Sequence, residues 1–582
     1  MSIFERYEPF LLFDFNNKGK EERTFFTKPT KIVTTNRFDE IDSCLRQIDM
    51  AVYDGYYAAG YISYEATYAM KRIKEERKTT TEPLLWFGIF SKKSTFPSVK
   101  QQSFETSSWE MQEDESDYRL AVQKVLDSIH QGELEQLNYT VRFKASFSGC
   151  PYSYYESLKR AQQADYCAYL HINHQHILSI SPELFFHYDQ EKLTLKPMKG
   201  TKERGLTYEV DKQKKRSLFT SPKERHENDL ITQLMIDELN CFAEREHIHL
   251  RDQYAVRTYP TVHQMTTTIE ADVKEACRFS ELVTQLFPCG SIAGTPKITA
   301  LERISDLECE PRGVYCGAIG FITPDNEAIF NVPIRTVSIN DTTREALYGA
   351  GGAITKHSNV DDEYQEVLTK TNVLHYDAPD FCLIETFLLT NGSYFLYDEH
   401  MRRLEQSATY FQFSFSREEI GRKLHNVRAK HQDGSWRVRL TINERGESEI
   451  DIEKLKNLAS NRVRLAKKPV EKDDIFLYHK TTERSIYERH APTEDEPYFD
   501  VLLWNEQNEV TEFTVGNIVV ELDGTLVTPP VTSGLLRGTF REHLIRRGTI
   551  QERIIYVDDL IRCTNIWFIN SVRKWVRVTL EI

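Results

Sequence analysis

Two lysines in this sequence, each accompanied by suitably placed carboxylates, could do covalent chemistry. Lys199 lies in the run PMKGT, between a strand-like stretch ending at Lys196 and a glycine that permits a tight turn. Glu183, in SPELFF sixteen residues earlier, could meet it across a hairpin. An amine beside a carboxyl group is a nucleophile with a proton shuttle. Glu224 with Glu227, and Glu363 with Glu366, share the i,i+3 spacing that puts two carboxylates on one face of a helix. Exposed acidic pairs are usually a solvated face. If the two helices border one cleft, however, one or two carboxylates from each suit Mg²⁺, a hard cation that takes oxygen ligands, water and a substrate anion.

The second lysine, Lys480 in YHKTTER, belongs to an ordered set with Arg403 in HMRRLEQSA, Glu512 in NEVTEFTVGNIVVE and Gly538 in TPPVTSGLLRGTFR. These offer a Schiff-base amine, a phosphate clamp, a carboxylate for a pyridinium nitrogen, and exposed N–H groups for a phosphate. Each alone has an ordinary surface or capping role. The ordered set does not.

The elements that position these groups follow from the patterning. The chain has 582 residues, 40% of them apolar and 28% charged, a balance of folded domains with large cores. No repeat or low-complexity tract is present, which disfavours solenoids and propellers. Short β-rich runs at Gly60 to Tyr64 and Trp86 to Phe90 alternate with helical patterns, and a helix is expected from about Asp117 to Gln131. Hairpin-like runs fill Tyr166 to Leu195, helices Lys223 to Arg245, long β runs Val314 to Ala350, and a helix Asp361 to Leu374. The class expected is α+β with large antiparallel sheets and flanking helices. After the polar stretch HYDAPD a new strand, turn (Asn391, Gly392), strand and helix pattern begins, so two domains are expected, 1–377 and 378–582.

Several function classes are disfavoured. A net charge of −14 repels phosphate backbones, so no nucleic acid partner is expected. The basic run Lys212, Lys214, Lys215, Arg216 reads as a solvated face. No stretch approaches the ~20 apolar residues of a membrane helix, and an apolar signal segment is absent at the amino terminus. Ten cysteines without a CxxC pair fit a reduced, cytoplasmic chain. GAGG at Gly349 to Gly352 fails as a dinucleotide loop because Ile354 stands at a required glycine, and Gly290 to Lys297 fails as a phosphate loop because of Pro296. His171, His174 and His176 cluster near a hairpin turn without a carboxylate at ligand spacing, and are assigned no role.

Residues 1 to 375 resemble the chorismate-utilising enzymes, a family that includes anthranilate, isochorismate and aminodeoxychorismate synthases. The resemblance rests on GELEQLNYTVRF, SPELFF, PMKGT, the helix after Lys223, PCGSIAGTPK, RGVYCGAIGF, FNVPIRT and GAGGAITKHSNVDDEYQE. Lysine at position 199, where anthranilate synthases commonly have alanine, marks the aminodeoxychorismate synthase branch. The resemblance implies Lys199 as nucleophile toward chorismate C2, Glu183 as its acid/base partner, and Glu227 and Glu366 as Mg²⁺ ligands with Glu224 and Glu363 beside them. Arg335, Lys297, Ser291, His263 and the Gly349 to Gly352 turn, Gly351 and Gly352 included, would hold the substrate. The sequence departs from the family's MIVDLxRND helix at Gln233, Ile236, Asp237 and Glu238, and has Ala293 where many members carry threonine.

Residues 380 to 582 resemble the class IV pyridoxal-phosphate enzymes, branched-chain and D-amino-acid aminotransferases and 4-amino-4-deoxychorismate lyase among them. FINSVRKWVRV is most similar to the lyase branch. The resemblance implies pyridoxal 5'-phosphate on Lys480, with Arg403, Glu512, Asn517, Thr528, Gly538 and Thr539 around it. Together the halves imply amination of chorismate followed by pyruvate elimination to p-aminobenzoate, for folate. No cysteine has the glycine-flanked elbow and histidine partner of a glutaminase, so a separate glutamine amidotransferase subunit is expected to supply ammonia. Two other readings stay open: another chorismate-aminating enzyme with an aminotransferase domain, and a chorismate-binding scaffold without turnover.

Overall fold

The computed structural model describes residues 7–17, 20–73, 82–274, 276–375, 379–458, 460–493 and 495–581. The chain forms two compact units, Met1–Glu203 with Lys215–Ala378, and Arg204–Lys214 with Pro379–Ile582. A single linear cut therefore misses one short segment that groups with the second unit. The expected cut itself, at residue 378, lies outside the described residues.

The first unit is built on two large antiparallel sheets. One runs Gly294–Thr295, Gln136–Gly149, Glu345–Thr355, Thr336–Asn340, Gln175–Ser181, Tyr166–Ile172, Phe10–Asn17 and Lys20–Phe26. The other runs Met198–Glu203, Val262–Asp272, Lys192–Lys196, Leu184–Tyr188, Ala328–Asn331, Ala318–Ile322, Tyr57–Ile62, Leu85–Phe90 and Lys31–Thr35. Alternation explains the stacking. In FLLFDF, Leu11, Phe13 and Phe15 point into a core shared with Tyr61, Trp86 and Phe321 of the other sheet, while Phe10 and Leu12 enter the core beneath the helices. Such a strand is buried on both faces and so reads as one continuous apolar run. The helix Glu115–His130 contributes Tyr118, Val122, Val125 and Ile129 to that second core, three and four residues apart.

The expected helix from Asp361 ends earlier, at Thr369, and a separate 3₁₀ turn follows at Asn372–Leu374. The histidines acquire a carboxylate from far away in sequence: Asp341 accepts from His171 Nε2 (3.1 Å) and His176 Nε2 (2.9 Å). His174 occupies the turn at φ 62°.

The second unit carries three smaller sheets. Leu383–Thr390, Ser393–Tyr394, Ser435–Ile442 and Ser448–Lys454 form the first, with the expected turn at Asn391 and Gly392, both at positive φ. Val510–Phe513, Asp500–Trp504, Arg462–Leu465 and Thr579–Glu581 form the second. The third has Asn517–Leu522 and Asn565–Asn570 at its centre.

One buried side chain ties the first unit together. Arg312 donates to Glu308 from Nε (2.8 Å) and Nη2 (2.6 Å), to Ile292 O (2.9 Å) and to Asn138 O (2.8 Å), with Tyr64 stacked on it at 4.4 Å. Glu308 also accepts from Thr140 N and Oγ1, each at 2.9 Å. Removing one partner of such a pair leaves the other charge buried. Arg312→Leu is expected to destabilise the first unit by about 3–5 kcal/mol, and Arg312→Leu with Glu308→Gln by less, as read from urea unfolding. Equal losses in the two variants would contradict this.

Candidate active sites

Lys199 sits on the strand Met198–Glu203 rather than in a turn. Its pairing with Val262–Asp272 slips between Met198 and Thr201, and Gly200 takes φ +93° in that irregularity. A Cβ on Gly200 would meet Glu224 Oε2 at 2.8 Å, so glycine lets the strand approach the carboxylate. Two helices then close on the same space. Pro222–Leu239 starts at Ser221, whose hydroxyl accepts from Glu224 N, and presents Glu224 and Glu227 in its first turns. Val360–Thr369 starts at Asn359, whose side chain accepts from Asp361 N (2.9 Å) and Asp362 N (3.3 Å), and presents Glu363 and Glu366. All four carboxylates, Lys199 and Glu183 line one cavity of about 240 Å³.

The charges in this cavity are tuned by burial. Desolvation lowers the Lys199 ammonium below its usual range, and Glu227 and Glu366 oppose that shift. Desolvation pushes the Glu183 carboxyl up to about 7, although the Ser291 hydroxyl and Lys199 favour its ionised form. Glu183 is 3% exposed, and its Oε1 has no hydrogen-bond partner among the described residues. Burial and then Glu227 raise Glu224; burial raises Glu363; Lys370 holds Glu366 down.

No three of the four carboxylates bring oxygens within 4.8 Å of one another among the described residues. They face the cavity as two pairs, and the missing Cβ of Gly352, which would lie 2.9 Å from Glu363 Oε2, leaves room beside one of them. Such an oxygen-only donor set, short of a closed cage, fits a cation that keeps water and a substrate oxygen.

Of the residues expected to hold substrate, Arg335, Ser291, Gly351 and Gly352 line the cavity. Gly349 to Gly352 is a strand rather than a turn, paired with Gln136–Gly149. Beyond Tyr348 its other edge has no strand partner among the described residues, which leaves backbone groups for the cavity. Neither Lys297 nor His263, both expected to hold substrate, lines the cavity. The Lys297 ammonium is committed to Glu238 Oε1 (2.7 Å) and Leu286 O (3.0 Å). His263 is fully buried, its Nδ1 3.2 Å from Thr258 Oγ1.

The departures from the family helix also lie off the cavity. Gln233 bonds Asp237 (2.7 Å) and Arg245 (3.0 Å), Ile236 is in the core, and Ala293 is buried beside the Gly290 turn. Sequence reasoning missed Lys370, which donates to Gly351 O (2.7 Å) and pairs with Glu366. Its i,i+4 spacing from Glu366 was the available signal.

The second unit holds a larger cavity, about 550 Å³, lined by Lys480, Arg403, Glu512, Asn517, Gly538 and Thr539. Burial, then Arg403 and Arg484, bring the Lys480 amine down to about 8. Burial pushes Glu512 up to about 7; its Oε1 accepts from Tyr487 OH (2.9 Å) and Leu536 N (3.0 Å), and its Oε2 from Asn517 Nδ2 (3.0 Å). Arg403 is oriented by Glu385, through Nε (2.8 Å) and Nη2 (2.7 Å), with His400 Nδ1 on the same carboxylate at 2.6 Å. Burial opposes ionisation of Glu385, yet Arg403 and His400 hold it down to about 2.

Gly538 caps the helix Thr539–Arg546, and a Cβ there would fall 1.9 Å from Asn517 Oδ1. Thr528 is fully buried, donates to Ile518 O (2.7 Å) and does not line the cavity. A buried amine, an oriented buried carboxylate and a glycine cradle at a helix start fit pyridoxal phosphate. Arg484, at the end of YHKTTER, and Arg573, within FINSVRKWVRV, also line this cavity, as do Arg437 and Arg439, which had no motif to announce them.

The sequence pattern of the chorismate binding enzymes matches residues 8–375, and that of the class IV amino-transferases, pyridoxal-phosphate proteins, residues 382–580. Aminodeoxychorismate synthase component 1 of Salmonella typhimurium is 34% identical over 272 residues, 46% of this chain and 59% of that protein. Anthranilate synthase component 1 of Aquifex aeolicus is 26% identical over 281 residues, 48% of this chain and 56% of that one. The chain thus spans between about three tenths and three fifths of the length of the curated relatives it matches. The crystal structure of anthranilate synthase component I from Streptococcus pneumoniae shares the fold over 63% of this chain and 91% of its own, with a TM-score of 0.52 and 19% identity. The chain belongs to the chorismate binding enzyme family and carries a class IV amino-transferase domain behind that family's domain.

Proposed function

We propose that the first unit aminates chorismate to 4-amino-4-deoxychorismate and that the second removes pyruvate from this product to give p-aminobenzoate for folate. The observation that carries the reading is Lys199: an amine in a cavity with a buried Glu183 whose carboxyl is pushed up to about 7, in a chain that also holds a class IV domain. The relatives named aminodeoxychorismate synthase support the choice of product.

In the first cavity the Lys199 Nζ attacks ring C2. The double bonds shift and the C4–O bond breaks, the hydroxyl leaving as water with a proton from Glu183. Ammonia then forms the C4–N bond, the C2–Nζ bond breaks, and the surplus proton returns to Glu183. Mg²⁺, held by Glu227 and Glu366 with Glu224 and Glu363 beside them, would supply a positive charge for the substrate carboxylate. Arg335 and the amides along Gly349 to Gly352 complete the anion site.

Pyridoxal phosphate, when bound at Lys480, draws electrons from the carbon that bears the amine. Lys480 Nζ takes the proton from C4, and enolpyruvate leaves from C3 as the ring becomes aromatic. Arg403, with the amides at Gly538 and Thr539, would hold the phosphate, and Glu512, fixed by Asn517, would pair with the ring nitrogen. Ammonia comes from a separate glutaminase subunit, as the relatives' designation as component 1 suggests. Cys289 in PCGS, which comes closest of the ten cysteines to a glutaminase elbow, is a buried thiol pushed well above its usual range, unsuited to attack glutamine. Free cysteines and the absence of a long apolar helix among the described residues accord with a cytoplasmic enzyme.

Lys199→Ala is expected to abolish p-aminobenzoate formation from chorismate and ammonium while pyruvate release from supplied aminodeoxychorismate continues. Lys480→Ala should instead accumulate aminodeoxychorismate; both are read by chromatography and mass. Retained synthesis in the first variant or retained pyruvate release in the second would refute the assignment.

Glu183 gives a pH prediction. Its folded pKa is raised, so the native state holds a proton the unfolded chain has lost between about pH 4.5 and 7, and stability falls across that window. Glu183→Gln should lessen the loss of stability between about pH 4.5 and 7, measured as the shift of urea midpoint relative to the parent. Parallel profiles for parent and variant would show that Glu183 ionises normally.

A further inference from the structure

The chemistry of the two cavities leaves a cluster of metal-ligating side chains unused. Where the hairpin of Tyr166–Ile172 and Gln175–Ser181 closes, His171 stands directly opposite His176 in the ladder. Alternation puts both on the sheet face of Tyr169, Leu178 and Ile180, the face that enters the core beneath the helices, and both are buried. Their rings are nearly parallel, with centroids 4.1 Å apart. Asp341 follows the neighbouring strand Thr336–Asn340 and sets one carboxylate oxygen against each Nε2, Oδ2 against His171 and Oδ1 against His176. None of the three lines either cavity.

The spacing is close to that of a metal's ligand shell. Bonds of about 2.0–2.1 Å at tetrahedral angles set neighbouring ligand atoms about 3.3 Å apart. The Nε2 to carboxylate distances here are 3.1 and 2.9 Å, so an ion asks the ligands to part only slightly. One ligand atom of each residue lies within 4.8 Å of the other two.

The surroundings hold the three in place. Asp341 N donates to His174 O (2.9 Å), and Asn340 Oδ1 accepts from Thr342 N (2.8 Å) and Thr343 N (2.9 Å), which ties the carboxylate's backbone to the hairpin. His176 Nδ1 lies 2.8 Å from Tyr169 OH. With the proton on Nδ1, the phenol oxygen accepts it and the Nε2 lone pair is turned toward the carboxylate, the outer-shell support typical of a ligating histidine. Arg344, 3.5 Å from Asp341 Oδ1, competes with a cation for that oxygen, but it is 47% exposed and can turn to water. Two imidazoles and a half-buried carboxylate suit a borderline divalent transition metal better than Mg²⁺, which prefers oxygen alone.

We propose that His171, His176 and Asp341 form a binding site for a divalent transition metal of the zinc type, with water completing the coordination. The ion joins three neighbouring strands of the first sheet, outside both cavities and independently of the reactions proposed for them. A second trio of possible ligands, Glu244, Glu246 and His247, is exposed, and Glu244 is already paired with Lys274. It serves as the comparison.

The test uses the full chain, stripped with a chelator and kept in excess Mg²⁺, which competes for the oxygen-only carboxylates of the first cavity. Co²⁺ is titrated as a visibly absorbing probe and then displaced with Zn²⁺, the stronger binder at such ligands. The parent should take up one equivalent of Co²⁺ with the d–d bands of a nitrogen-ligated ion, unmoved by Mg²⁺ and lost to Zn²⁺. Tyr169→Phe should weaken binding about tenfold to a hundredfold, the range for an outer partner, and His171→Gln and Asp341→Asn by more. Arg344→Gln should tighten it severalfold. Zn²⁺ should raise the thermal midpoint of the parent and leave that of Asp341→Asn unmoved. The proposal is overturned if the parent shows no such bands, if they persist in His171→Gln and Asp341→Asn, or if only His247→Ala removes them. Should the ligand variants fail to fold by circular dichroism, Arg344→Gln decides: tighter binding supports the site, and unchanged affinity refutes it.

Discussion

The first active site depends on a charge that never reaches it. Arg312, 2% exposed, binds the end of the helix Lys297–Leu307 through Glu308, the Gly290 turn through Ile292 O, and the long strand Gln136–Gly149 through Asn138 O. Asn138, Thr140, Ser291 and Ile292 are all wall residues of the cavity. A buried guanidinium is tolerated only when its donors are met, and here the donors are met by the elements that must be kept in register. Glu65 works from the other side, accepting from Arg312 N (2.6 Å) and Gly313 N (3.0 Å). The cavity wall is thereby fixed through the carbonyls of Asn138 and Ile292 and the N–H and hydroxyl of Thr140.

Both cavities use desolvation to make ordinary groups reactive. Lys199 and Lys480 are amines held below the usual ammonium range, while Glu183 and Glu512 are carboxyls held near 7. The surroundings then separate the two lysines. Lys199 faces carboxylates, which draw it back toward the cation; Lys480 sits among arginines, which push the same way as burial. An acid-rich wall suits a site that collects a cation, and a base-rich wall suits one that receives a phosphate and a carboxylate.

Glycine supports this chemistry by what it leaves out. Gly200 lets its strand come up against Glu224, Gly352 leaves space beside Glu363, and Gly538 lets a helix start against Asn517. In GAGG the glycines make no nucleotide loop; Gly349 lies against the Tyr315 ring and Gly351 against Tyr139 O, in a strand whose free edge faces the cavity. The same residues that fail a motif search therefore have a packing reason to be there.

The local signals were legible in the sequence because they depend on neighbours in the chain. Alternation and period announced the sheets and the helices, i,i+3 spacing put Glu224 with Glu227 and Glu363 with Glu366 on one helix face each, and ordered motifs separated the two lysines with their partners. What the sequence could not weigh was competition for a charge by residues far away. Lys297 looked like a substrate ligand but is held by Glu238, while Asp341 reached two histidines that had seemed to lack a carboxylate. Arg439 belonged to no motif, yet strand alternation and the commitments of its neighbours leave it facing the cavity unpaired among the described residues. The sequence by itself determined which groups could react, since that is a property of side-chain type and local spacing. Tertiary structure decided which of them face a cavity and which are already satisfied, because a hydrogen bond or ion pair joins residues brought together by packing rather than by position in the chain.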